Sequence, residues 1–152
     1  ANDIRDNYDI VIADTGQFWS GLTGELLCNS SLVLIVMDQR RASAYGAIKA
    51  LELCQRLGIP MARIAFVLNR ASGMSHSEIE RIEDSLGCEE LFRLADGKTT
   101  IEALVGMGRI EELVEEGPAP LPDIELLLTK LLPRIGIEFP AIERKKTRRF
   151  FT

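Results

Sequence analysis

The chain has 152 residues and 16.9 kDa, 46% of its side chains are apolar and 27% charged, and it is long enough to bury one core without disulfides or metal. Its longest apolar run, Leu32–Met37, holds six residues, far short of the roughly 20 that cross a bilayer. Cys28, Cys54 and Cys88 are widely spaced with no CxxC pair, and His76 is the single histidine. That pattern argues against a disulfide framework, a zinc site or a histidine-based triad, and fits buried thiols in a reducing cytoplasm. The net charge of −5 divides unevenly: residues 144–152 hold five bases and no acid, while the rest of the chain carries 13 bases against 23 acids. The acidic body repels nucleic acid, so direct DNA binding is not expected, and only the tail can act as a hook for polyanions.

In chain order, Tyr8–Asp14 is a β-branched run that ends at Asp14-Thr15-Gly16. Leu32–Met37 and Arg63–Asn69 are two further continuous apolar runs, and Leu91–Leu94 is a shorter candidate. Continuous apolarity marks strands covered on both faces, as in a parallel sheet under helices. Ala42–Leu57 carries Ala44, Ala47, Ile48, Leu51 and Cys54 on one helical face and stops at Gly58 and Pro60. Ser75 and Glu78 are spaced as a capping box opening a helix to Leu86. Helices over Thr99–Val105 and Asp123–Leu132 follow, joined through the stiff Gly117–Pro122 connector. This alternation predicts an α/β fold: a mostly parallel sheet flanked by helices in a Rossmann-like three-layer arrangement over residues 1–138, with a basic tail over 139–152.

Ligands of open parallel sheets bind at the carboxyl ends of the strands. Asp14 closes an apolar run before a glycine turn. Such an acid either caps the next helix or, in a Walker B arrangement, holds Mg²⁺ against nucleotide phosphates. Asn69, followed by Arg70, closes another; its carboxamide suits either a turn or the donor and acceptor edge of adenine.

The succession YDIVIADTG, SLVLIVMDQ, an Ala-rich helix ending LGIP, and IAFVLNRA resembles the second half of the MinD/ParA-type P-loop ATPases, the deviant-Walker-A class, over roughly residues 7–135. The pilus-localisation branch, TadZ- or CpaE-like, fits as well. The resemblance implies Asp14 as the Mg²⁺-associated acid beside Gly16, Asn69-Arg70 as the adenine-contacting strand end, and Asp96 near the base. It also implies ATP and Mg²⁺ as cofactors, a homodimer, and a protein partner in a machine that positions division, partition or pilus and secretion assemblies. The expected place is the cytoplasm, or peripherally the inner face of the membrane. Three departures stand out: Asp14-Thr15-Gly16 lacks the family's prolines, Leu94-Ala95-Asp96-Gly97 matches its base loop only loosely, and the glycine-rich phosphate loop is missing. The sequence therefore reads as an ATPase fragment that needs a phosphate loop supplied elsewhere, or as a degenerate relative without the chemistry. A nucleotide-independent scaffold and a dethiobiotin-synthetase-like ligase are the competing readings.

Gly97-Lys98-Thr99-Thr100 imitates the end of a phosphate loop, but the glycine required upstream is Phe92, and Thr99 with Glu102 reads as a capping box instead. His76 is expected in a solvated turn, Arg40 and Arg41 as solvated charge, and Trp19 in core or interface packing beside Phe18 and Leu22. The position after Asp14 carries no cysteine, which rejects an iron–sulphur site. Residues 142–152 combine five cations with Phe150 and Phe151, a composition suited to peripheral contact with anionic lipid, to a neighbouring acidic body, or to a solubilising end.

Overall fold

The computed structural model describes residues 7–16 and 19–139. Helix α1 (Gly21–Asn29) leads to strand β1 (Val33–Met37), helix α2 (Arg41–Arg56), strand β2 (Ile64–Ala71), helix α3 (His76–Leu86) and strand β3 (Leu91–Ala95). Helices α4 (Lys98–Gly106), α5 (Ile110–Glu116) and α6 (Leu121–Leu131) follow, and a 3-10 turn over Leu132–Ile135 comes after them. The three strands form one parallel sheet in the order β1-β2-β3. The expected α/β architecture is thus the observed one.

Two apolar layers sandwich this sheet. On one face Val33, Ile35, Met37, Ile64, Phe66 and Leu68 pack under α2 and α3, with Leu27 of α1 joining the same cluster. On the other face Ala65, Val67 and Phe92 receive Leu127 and Leu131 of α6. The central strand is therefore buried from Ile64 to Leu68 on both sides, which is why its sequence is continuously apolar and not alternating. Both crossover helices lie on the same face, so the chain steps in one direction across the sheet, as right-handed connections require.

Local chemistry sets the element ends. The Ser75 hydroxyl accepts from Glu78 N–H while the Glu78 carboxylate accepts from Ser75 N–H at 2.8 Å, the reciprocal box expected from the spacing. His76 is the first residue of α3 and stands 3.1 Å from Glu80 one turn on, exposed as expected but helical and not in the turn. Gly58, at φ +74°, follows the C-cap of α2 in the left-handed conformation that favours glycine. The Arg63 guanidinium, reaching from the start of β2, donates to the carbonyls of Ser30 and Cys28 and so anchors the C-terminal end of α1.

Several expectations are corrected. Tyr8–Asp14 is not a strand: its apolar residues are exposed, Ile12 at 89%, and it pairs with none of the described strands. The third strand of the sheet is instead the shorter run, Leu91–Ala95. Thr99 and Glu102 form no capping box, because α4 begins one residue earlier behind Gly97, with no side-chain cap. Trp19, 53% exposed, does not belong to the core, and of the three thiols only Cys54 is fully buried while Cys28 is exposed. Helix α5 had no sequence-based expectation. The boundary near 139 and the basic tail lie outside the described residues.

Leu131 is 1% exposed and joins α6 to the sheet. Leu131→Ala is expected to lower the free energy of unfolding by about 3 kcal/mol. Val105→Ala, on the exposed side of α4, is expected to change it by less than about 0.5 kcal/mol. Urea unfolding followed by circular dichroism measures both, and equal effects would contradict the role given to α6.

Candidate functional site

The carboxyl ends of β1, β2 and β3 share one rim. Asp38 and Gln39 follow β1, Asn69, Arg70 and Ser72 close β2, and Asp96 with Lys98 follow β3. Gln39 spans the first two ends: its amide nitrogen donates to the Ser72 hydroxyl, and its carbonyl oxygen accepts from Ser72 N–H, both at 3.4 Å.

The end of β2 carries a β-bulge. Leu68 pairs with Arg93 and Ala71 with Ala95, so Asn69 and Arg70 together stand opposite Leu94 alone. Arg70 takes φ +56°, unusual for a residue with a side chain, and its N–H donates to the Asn69 carboxamide oxygen at 3.0 Å. Bulges of this kind bend a strand and re-aim its side chains. Here the bulge separates half-buried Asn69 from exposed Arg70 at the mouth of the sheet. The Asn-Arg pair was visible in the sequence; the bulge was not, because no glycine marks it.

Asp38 accepts from Arg40 twice, from the backbone N–H at 3.0 Å and from the side-chain Nε at 2.6 Å. The Arg40 side-chain hydrogen bond, more than the backbone one, holds the Asp38 carboxyl below its ordinary range. Arg40 is 82% exposed, the solvated charge expected, and its pair with Asp38 is local to the end of β1. Asp96 accepts from Lys98 N–H at 3.1 Å, and Lys98 itself stands at φ +48°. Gly97 is fixed by crowding: a Cβ there would meet the Ile101 side chain and come within 2.8 Å of the Ala119 carbonyl oxygen. The GKTT segment is thus a tight strand-to-helix passage in which the glycine answers to packing.

Asp14 lies outside the three strands of the sheet. It is exposed, and its carboxylate accepts from Gly16 N–H at 3.1 Å in a local turn with Gly16 at φ +62°. The sheet therefore brings Asn69, Arg70 and Asp96 to one edge but does not incorporate Asp14 or Gly16, because Tyr8–Asp14 is unpaired. Among the described residues no group of three or more histidines, cysteines or acids could hold a metal ion. The residues present do not build a Mg²⁺ site by themselves: Asp14 offers one exposed carboxylate. No described helix is long and apolar enough to cross a membrane.

Comparisons with protein-family models, with curated proteins and with solved structures return no match for this chain.

Two outcomes follow from this geometry. Gly97→Ala is expected to cost about 2 kcal/mol, as overpacking does; an unchanged thermal midpoint would show that the passage yields freely. The Asp38 carboxyl is held low in the folded chain, so its contribution to stability is complete above the ordinary carboxylate range, about pH 4. It is lost as pH falls from there through the lower folded value. In an NMR titration Asp38 is expected to protonate below an ordinary aspartate and to move back up in Arg40→Ala. A midpoint unmoved by the substitution would refute the pairing.

Proposed function

We propose that this chain supplies the adenine-side portion of a MinD/ParA-type ATPase domain that positions a division, partition or pilus and secretion machine. The observation that carries the reading is half-buried Asn69 at the bulged end of the central parallel strand, flanked on its rim by Gln39 and Asp96. Residue type, strand position and rim suit recognition of an adenine edge. ATP would lie across the strand ends with its base toward Asn69 and Arg70 and Asp96 beside it. Asp14 would supply one carboxylate toward Mg²⁺, whose charge would offset that of the phosphates. Alone, the chain lacks the backbone cradle and lysine that supply most of phosphoryl-transfer catalysis, so no hydrolysis by it alone is proposed. A homodimer, a protein partner and peripheral membrane contact through residues 142–152 belong to the same reading, as does a cytoplasmic location.

One observation favours a second reading, a nucleotide-independent scaffold. Asn69 already satisfies its carbonyl oxygen with Arg70 N–H, and Asp14 stands outside the sheet.

NMR titration of the full chain with ATP and Mg²⁺ separates the two. The nucleotide reading expects shifts concentrated at Asn69, Arg70 and Asp96, with at least a fivefold loss of affinity in Asn69→Asp, which exchanges a donor for an acceptor. Absence of binding up to several millimolar, or equal binding by the variant, would leave the scaffold.

A further inference from the structure

Among the described residues, α4 and α5 alone of the α-helices hold no buried side chain. Val105 and Met107, where α4 ends, and Ile110 and Val114 on α5 are 51%, 68%, 57% and 47% exposed. The excursion starts and finishes at one place: a Cβ on Gly97, just before α4, would come within 2.8 Å of the carbonyl oxygen of Ala119, just after α5. The two helices therefore form a hairpin beside the start of α6, packed chiefly on each other.

The open face of this hairpin carries charge beside its apolar groups. Ile110 and Val114 are four residues apart and form one row along α5, and Glu111 and Glu115, one position on, form the row next to it. Both glutamates are exposed and enter no ion pair among the described residues, whereas Glu112 is held by Arg109. An apolar row along an acidic row is complementary to a segment that carries basic and apolar side chains together.

We infer that the α4–α5 face seats the chain's own basic segment, residues 144–151. Arg144, Lys145, Lys146, Arg148 and Arg149 bring five cations and no acid to Glu111 and Glu115, and Phe150 and Phe151 bring apolar surface to Ile110 and Val114. Reach is not limiting. Extended chain covers roughly 3.3 Å per residue, so residues 140–151 span about 40 Å. Helix α6, the main span between residue 139 and the hairpin, has 11 residues and is about 16 Å long. Other occupants meet the acids badly. A second copy joined face to face through a two-fold axis would set Glu111 and Glu115 against the same glutamates, and anionic lipid or nucleic acid is repelled by them. The contact does not depend on whether nucleotide binds.

Carbodiimide coupling of the full chain, which turns a touching amine and carboxylate into an amide with loss of water, tests this. Links from Lys145 or Lys146 to Glu111 or Glu115 are expected, and within single chains when isotopically heavy and light chains are mixed. Phe150→Ser/Phe151→Ser, which changes no residue of the described fold, is expected to lower their yield at least fivefold. Ile110→Ser/Val114→Ser is expected to do the same, and Leu22→Ser, at an exposed apolar position elsewhere, to leave it unchanged. In NMR spectra the amides of 105–115 are expected to shift in the phenylalanine variant. Links scattered over the acids of the whole chain, links mainly between heavy and light chains, or a yield that ignores the phenylalanine substitutions would overturn the inference. So would binding of the segment to phosphatidylserine vesicles in a chain whose 105–115 amides are the same with and without the phenylalanines, which would assign it to lipid.

Discussion

The fold rests on the burial of one strand from both sides. From Ile64 to Leu68 every residue of β2 is inaccessible, with Leu68 0% and Phe66 1% exposed. A parallel strand can be held this way only if helices cover both faces, and it is α2 and α3 on one side and α6 on the other that do so. Everything else is arranged around that requirement: the crossovers that return the chain parallel, the long excursion through α4 and α5 that brings α6 to the opposite face, and the cation contacts that hold its end. Lys130 pairs with Glu90, and both Lys130 and Arg134 lie over the Phe92 ring.

The cover is incomplete, and the gap is specific. Helix α6 reaches β2 and β3 but not β1, so the same apolar pattern that is buried in the centre of the sheet is exposed at its first edge. The exposed Ile10–Ile12 stretch adds to the same imbalance. The β3 side is covered by α6, through Phe92, Leu127 and Leu131.

At the rim, the strand ends differ in what fixes them. The β1 end is electrostatic, with Asp38 drawn below its ordinary range by Arg40. The β2 end is conformational, a bulge that places Arg70 at positive φ and turns Asn69 back on its own backbone. The β3 end is steric, with Gly97 pressed against Ile101 and the Ala119 carbonyl. A rim built this way brings carboxamides, carboxylates and cations together at the strand ends.

By itself the sequence determined the α/β class, strands within 32–37 and 63–69, the helix through Cys54, the capping box at Ser75, and the places of Asn69 near a strand end and Asp96 in the loop after the last strand. These are legible because they depend on local propensity and on short apolar periods. Only the tertiary structure decided that Tyr8–Asp14 stays out of the sheet, that Leu91–Ala95 takes a full place in it, that α6 supplies the second layer, and that Asn69 and Arg70 form a bulge. The run at 8–14 holds three β-branched residues, as β1 does, yet only β1 is paired, with β2. Strand pairing and layer cover are relations between distant segments, and no pattern within one segment can encode which edge it meets.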